Sequence, residues 1–357
     1  MNCRSKYIYK QGFLPAVLLL SLLQVNFFSC NEGAPKRSIE PAFYYWKSAL
    51  HISDAELRGL DSLHVKTLYI KFFDVDWSNT AAAPVPVAKL MNKGYRLPGK
   101  FEVIPVVFIT NECIRQLDTS KTTMLADQIF SLVRQISSIN GFNTFREIQL
   151  DCDWTAGSRD SYFSLLQKTG ALCKKEGIAV SCTIRLHQIK FMSKSGVPPV
   201  DKGLLMCYNM GNLKNPATGN SIIETAELEK YTGNLSGYPL PLDVAFPLFG
   251  WKVLFRNNIY SGLVENLPGD VLTGDFISVS GNRYTILHDT TLAGYAFKKG
   301  DVLRDEQSSY ATVLSAAQSI SRRLKNTAPR VSLYHLDSVI LKKYSLHELE
   351  TVYNSLR

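Results

Sequence analysis

Four carboxylates stand where an acid–base pair would be sought. Asp151 and Asp153 form an Asp-x-Asp at the end of an apolar run, within the segment Gln149 to Trp154. Glu112 follows a second such run, after Thr110 and Asn111, and Asp337 follows the last one, two residues beyond His335. Two carboxyl groups flanking one bond, one protonated and one ionised, can hydrolyse it. A separation of about 5 Å suits a nucleophile, and about 6.5–9.5 Å leaves room for an attacking water. Positions i and i+2 of one strand lie about 7 Å apart on one face. Asp153, nearer the rim, is paired first with Glu112, one as acid and one as base or nucleophile. Asp151 lies deeper and reads as structural, and Asp337 is the next candidate. Asp74 and Asp76, after another run, are weaker choices.

These groups need a scaffold. Eight β-like apolar runs occur, at 43–47, 67–73, 102–110, 147–153, 179–186, 204–210, 244–249 and 331–336. Helical patterns fill most intervals: 54–63 after a Ser53 cap, 119–139, 159–176 after Ser158 and ending at Gly177, 307–324, and 346–356 after Ser345. Strand and helix alternate eight times in about 300 residues, which predicts an α/β fold, a (β/α)8 TIM barrel. No Gly-rich first turn, P-loop, His-Glu-x-x-His or Gly-x-Ser-x-Gly is present. The stretch 255–302 is rich in Gly, Asp, Asn and Thr with short β-like segments, and predicts a small β-rich insertion after strand seven.

Alternation within the strands then aims the side chains. Gln149, Asp151 and Asp153 alternate with Ile148, Leu150 and Cys152. Ser181, Thr183, Arg185 and His187 alternate with Val180, Cys182, Ile184 and Leu186. Helices cover the outside of a barrel, so the polar sets point inward, where they must pair or act. A buried Arg185–Asp151 ion pair is the structural alternative. Trp77, Trp154 and Trp251 fall at or beyond strand ends, while Trp46 lies in strand one. Aromatic rings around a carboxylate-bearing mouth suit a carbohydrate, whose C–H faces stack while its hydroxyls hydrogen-bond. A metal-dependent hydrolase using Asp151, Asp153, His187 and His335 is a further class, but the chain lacks the His-x-His it would want.

Composition narrows the field. Apolar residues make up 45% and charged residues 20%, which excludes a disordered or multi-pass membrane chain. Of the +9 net charge, Arg4, Lys6 and Lys10 contribute three. The remaining +6 is dispersed, so no nucleic-acid partner is expected. Residues 1–29 have a basic start, an apolar core at 13–28 and Ser29, the pattern of a secretory signal peptide. Ser29-Cys30 resembles a bacterial lipobox. The resemblance implies cleavage before Cys30, lipidation there, and a tether at 30–40 leading into a barrel at 41–357. Localisation is then the cell envelope, at the outer membrane of a Gram-negative-type bacterium. Apart from Cys3 and Cys30, five cysteines remain, an odd number with no Cys-x-x-Cys, which predicts neither a disulfide framework nor a zinc site.

Three patches resemble the chitinase-like glycoside hydrolases of family 18. The segment 149–154 resembles their fourth-strand Asp-x-Asp with its aromatic. Met206-Cys207-Tyr208-Asn209 resembles their sixth-strand Met-x-Tyr-Asp. Residues 245–251, Ala-Phe-Pro-Leu-Phe-Gly-Trp, resemble their seventh-strand segment. The resemblance implies a TIM barrel acting on a poly- or oligosaccharide, and its patches put Trp154, Tyr208, Asn209 and Trp251 at the substrate. Strand ends and inward parity add Trp77, Arg185, His187 and His335 to the expected substrate-binding set, and no cofactor or metal is expected. The chain departs from that pattern at Thr155, where the family carries its acidic Glu, and at Asn209, where an Asp is usual. A non-catalytic carbohydrate-binding barrel is therefore the alternative to a glycosidase.

Overall fold

The computed structural model describes residues 1–2, 37–142, 144–264, 267 and 269–357. The expected signal peptide, Cys30 and most of the tether lie outside them. The chain lays down β1 (Glu40–Tyr45) and β2 (Thr67–Ser78), then a short β3 (Ala83–Val87) that folds back antiparallel on β2. β4 (Glu102–Ile109), β5 (Glu147–Asp151), β6 (Ala179–Arg185), β7 (Lys202–Met206) and β8 (Leu242–Pro247) follow. An antiparallel excursion runs from β9 (Gly250–Arg256) and β10 (Ile259–Val264) through β11 (Ile277–Ser280), β12 (Arg283–Ile286), β13 (Thr290–Leu292) and β14 (Tyr295–Phe297) to β15 (Val302–Gln307). β16 (Arg330–Tyr334) returns to the barrel and pairs in parallel with both β8 and β1, and β1 also pairs with β2. Eight parallel strands thus close into a ring, the expected TIM barrel with an insertion after the seventh strand. The inserted sheet runs in the order β10-β9-β15-β12-β11 and has its own small core around Leu272, Ile286, Phe297 and Leu303.

Local chemistry sets the helices that wrap the ring. Ser53 caps Asp54–Ser62 with Glu56 returning the bond, and Ser345 with Glu348 does the same for Leu346–Asn354. The helix predicted from 119 begins as a short 3-10 turn at Thr119–Lys121 and becomes α-helical over Thr122–Asn140. The helix predicted from 307 starts only at Tyr310, because Gln307 still belongs to β15. The outward strand faces behave as the alternation requires. Ile148, Leu150 and Cys152 are buried, and Tyr162 of the helix Arg159–Lys174 donates to the Leu150 carbonyl at 3.1 Å.

The interior of the ring is polar and layered. At its base Arg330 meets Glu147 at 2.5 Å and Glu40 at 3.0 Å, and Lys202 bridges Glu147 and Asp243 at 3.0 and 2.8 Å. Above that, Tyr44 stacks on Tyr69 and donates to Gln149, whose amide reaches Ser181. Each charge has a partner, which is what makes its burial tolerable.

Candidate functional site

The third layer is the mouth. β5 ends at Asp151, and Asp153 stands two residues beyond it. Asp151 is only 5% exposed and accepts from the Thr183 hydroxyl at 2.6 Å. Burial, and then the charge of Asp153, push its carboxyl up to about 6. Asp153 is 44% exposed and is gripped by both arms of Arg185, through Nε and, at 2.6 Å, Nη2. The ion pair expected between Arg185 and Asp151 therefore forms with Asp153 instead. Arg185 ends its strand, so its side chain reaches the rim carboxylate, not the deep one. Burial alone would lower the Arg185 pKa, but the Asp153 charge and hydrogen bonds raise it overall.

Aromatic rings line one side of this floor. Trp46 contacts Tyr334 at 5.6 Å, Tyr334 contacts Phe249 at 5.6 Å, and Phe249 contacts Trp251 at 5.3 Å between centroids. Tyr208 stacks on Tyr334 at 5.4 Å and meets Phe249 edge-on. The hydroxyls of Tyr208 and Tyr334 sit in the field of Asp151 and Arg185, and burial is the main cause of their raised pKa values. On the other side, Lys71 pairs with Asp74 at 3.1 Å and holds its ammonium 5.6 Å from the Trp46 ring. Trp251 is fixed by its indole N–H, which donates to Glu306 at 2.8 Å across the β9–β15 ladder. Gly250 permits that approach, since a Cβ there would lie 2.3 Å from the Gln307 side chain.

The structure thus brings together Asp151, Asp153, Arg185, Tyr208 and Trp251 from the sequence-based set. Others fall elsewhere. Trp154, expected at the mouth, is 1% exposed, stacked on Tyr162 and bonded through its indole to the Ser195 carbonyl. It shares the outward parity of Cys152 and packs between barrel and helix. His187, expected to point into the barrel, is exposed on the short helix Leu186–Lys190, because the strand stops one residue earlier. Glu112 is half-exposed and paired with Gln116 at 2.9 Å and Arg115 at 3.4 Å on its own helix. Asp337 caps the helix Ser338–Leu341 and binds Lys47 at 2.8 Å. Burial raises its carboxyl, but Lys47 and two backbone amides hold it below the usual range. His335 lies beside it, with an Nδ1 that finds no partner among the described residues. Asn209 occupies a left-handed turn at φ 53, a conformation Asn tolerates well, with its side chain exposed. Trp77 sits farther along β2, opposite Pro84 of β3.

Sequence reasoning missed Tyr334 and Lys71, and it placed Asp74 beyond the second strand, not within it. A register shift between Lys71 and Phe73 puts Asp74 opposite Phe108, on the face that carries Tyr69 and Lys71. Strict alternation would have placed Phe73 there. Tyr334 was readable, since it lies four residues after Arg330 on the inward face. Thr155 is exposed at the position of the family's Glu, with its backbone N–H bonded to Ser158. All five cysteines of the barrel are free and buried. Among the described residues no three His, Cys, Asp or Glu side chains are grouped to hold a metal ion, and no helix is long and apolar enough to cross a membrane.

No family model and no curated protein matches the chain. Solved structures share its fold. The chitinase from Chromobacterium violaceum ATCC 12472 is 12% identical with a TM-score of 0.52, over 89% of this chain and 98% of that one. The spore cortex-lytic enzyme SleL of Bacillus megaterium QM B1551 is 13% identical with a TM-score of 0.55, over 90% and 74%. The GH18 chitinase ChiB from the chitin utilization locus of Flavobacterium johnsoniae is 10% identical with a TM-score of 0.52, over 90% and 94%. At these identities the likeness is one of fold: the chain shares the barrel architecture of these enzymes.

Proposed function

We propose that the mouth of this barrel binds a poly- or oligosaccharide, and that the protein is a carbohydrate-binding barrel on a glycosidase-like scaffold. The observation that carries this reading is the unbroken aromatic wall Trp46–Tyr334–Phe249–Trp251 beside a floor of paired charges. Sugar rings stack on such a wall, and their hydroxyls find donors in Arg185 and Lys71 and acceptors in Asp153 and Asp74. Asp153 is committed to Arg185, the Thr155 hydroxyl is far too weak an acid to protonate a leaving group, and Glu112 and Asp337 are engaged elsewhere. None of these is placed as a general acid.

A second reading, hydrolysis, is favoured by Asp151 alone. A carboxyl near pKa 6 keeps a proton into the range where a general acid works, and Asp153 would be the second carboxyl group of the pair. The test is calorimetric titration of the purified protein with oligosaccharides of several linkages, with product analysis of each mixture. Binding without products supports the first reading. Cleavage that falls at least about 100-fold in both Asp151→Asn and Asp153→Asn supports the second. A folded protein that binds no glycan overturns both. We propose further that the chain is exported and held at the cell envelope by lipid on Cys30. The basic, apolar and Ser29-Cys30 sequence of its first 30 residues supports this.

A further inference from the structure

Away from the paired charges of the floor, one ion pair is wholly enclosed. Arg304 and Glu306, both on β15, are fully buried and meet at 2.5 Å. Side chains two apart on a strand share a face, so both turn toward the same neighbours. The guanidinium lies against the Phe255 ring and donates to the carbonyls of Leu213 at 2.9 Å and Asn215 at 2.7 Å. The second Glu306 oxygen accepts three bonds: the backbone N–H and hydroxyl of Ser221, at 2.8 and 2.5 Å, and the indole of Trp251 at 2.8 Å. Two neighbours on the inserted sheet extend the pattern. Arg283 donates to the carbonyls of Pro216 and Thr218, and Asn282 to that of Gly219. The loop gripped in this way leaves β7 directly after Tyr208 and Asn209 of the mouth.

We propose that Arg304 and Glu306 are positioning residues for the glycan site: they lock the inserted sheet to the loop 212–221 and hold the Trp251 ring at the end of the aromatic wall. The proposal rests on the glycan-binding reading for its functional part and on geometry alone for its mechanical part. Folding a charged pair into this interior is costly, and well-packed apolar residues would serve stability as well or better. What an apolar pair could not do is bond five groups at once from two side chains: three backbone groups of the loop, the Ser221 hydroxyl and one indole. Specific placement is what the charges add.

The experiment uses the full barrel with Glu306→Gln, Arg304→Lys, Trp251→Phe and the double variant Glu306→Gln/Trp251→Phe. Three quantities are read: tryptophan emission, the rate of proteolytic nicking within 212–221, and glycan affinity. The difference between wild type and Trp251→Phe isolates the Trp251 emission. In Glu306→Gln that component should move to the red and nicking should quicken. Affinity should fall about tenfold, the size of one charge-assisted hydrogen bond. The double variant should bind no more weakly than the weaker single, because Glu306 acts through Trp251. Arg304→Lys keeps the charge but not the fork, so nicking should quicken there too. A folded Glu306→Gln with wild-type emission and nicking, or losses of affinity that add, overturns the proposal. If Glu306→Gln does not fold, wild-type nicking in Arg304→Lys overturns it. A wild type that binds no glycan defeats the functional reading, while emission and nicking still decide the mechanical one.

Discussion

The enclosed carboxyl of Asp151 gives the sharpest prediction, Asp151→Asn followed across pH. Its folded-state pKa is raised from 3.8 to about 6, so between those values the folded protein holds a proton that the unfolded chain has released. The contribution of Asp151 to stability should therefore be full below about pH 4, fall as pH rises through 4 to 6, and then level off. Roughly two pH units at about 1.4 kcal/mol each give a loss of about 3 kcal/mol. Asparagine keeps an Oδ1 to accept from Thr183 and removes the titration. Asp151→Asn should match wild type near pH 4 and exceed it by about 3 kcal/mol at pH 7–8. For a folded unit of residues 37–357 that is about 4–5 °C in melting temperature. Thermal unfolding of both proteins, at half-unit steps from pH 4 to 8, reads the difference directly. Curves that stay parallel, or a variant less stable than wild type at pH 8, would refute it.

Removing Arg185 should sharpen the same signal: in Arg185→Gln the unpaired Asp153 pushes Asp151 higher, and stability should keep falling above pH 6, where wild type has levelled. The ion pair itself contributes about 1 kcal/mol or less, because water screens the half-exposed Asp153, so a large loss at pH 4 would contradict this account. Trp154→Ala should cost about 3–5 kcal/mol, lowering the melting temperature by about 5–7 °C, since the ring fills core space between barrel and helix. Glycan affinity of the folded variant should be unchanged, and calorimetric titration checks it. Cys30→Ala should move the protein from the membrane fraction to the soluble one or block its processing. If the variant stays in membranes at mature size, anchoring at Cys30 is wrong.

Much of the scaffold was legible because its signals are local. The Ser53 and Ser345 caps, the apolar runs and the Asp-x-Asp at a strand end all act over fewer than ten residues, and the barrel follows from their repetition. Parity also assigned Asp151 and Asp153 to the inside. The same parity puts Trp154 outside with Cys152, and the attraction of an aromatic beside two acids obscured it. His187 was misplaced because alternation does not announce where a strand stops. Asp74 depended on one extra residue in β2, which no pattern of period two can register. Arg304 and Glu306 were invisible for a different reason. A strand reading Val-Leu-Arg-Asp-Glu-Gln looks solvent-facing, and only the loop after β7, some 90 residues earlier, buries it.

Closure of the ring carries a consequence for how the protein is made. β1 can complete its pairing only with β16, and the Glu40–Arg330 contact spans 290 residues. Arg37 adds a second tie, donating to the carbonyls of Ser321 and Leu324. Contacts this distant in sequence form late and slowly. During synthesis the first strand must wait, with its partner face open, until almost the whole chain has emerged. For a chain that we propose is exported, that wait is useful: the barrel cannot shut while residues 330–334 remain unmade, so the polypeptide stays threadable through a translocation pore until its end is reached.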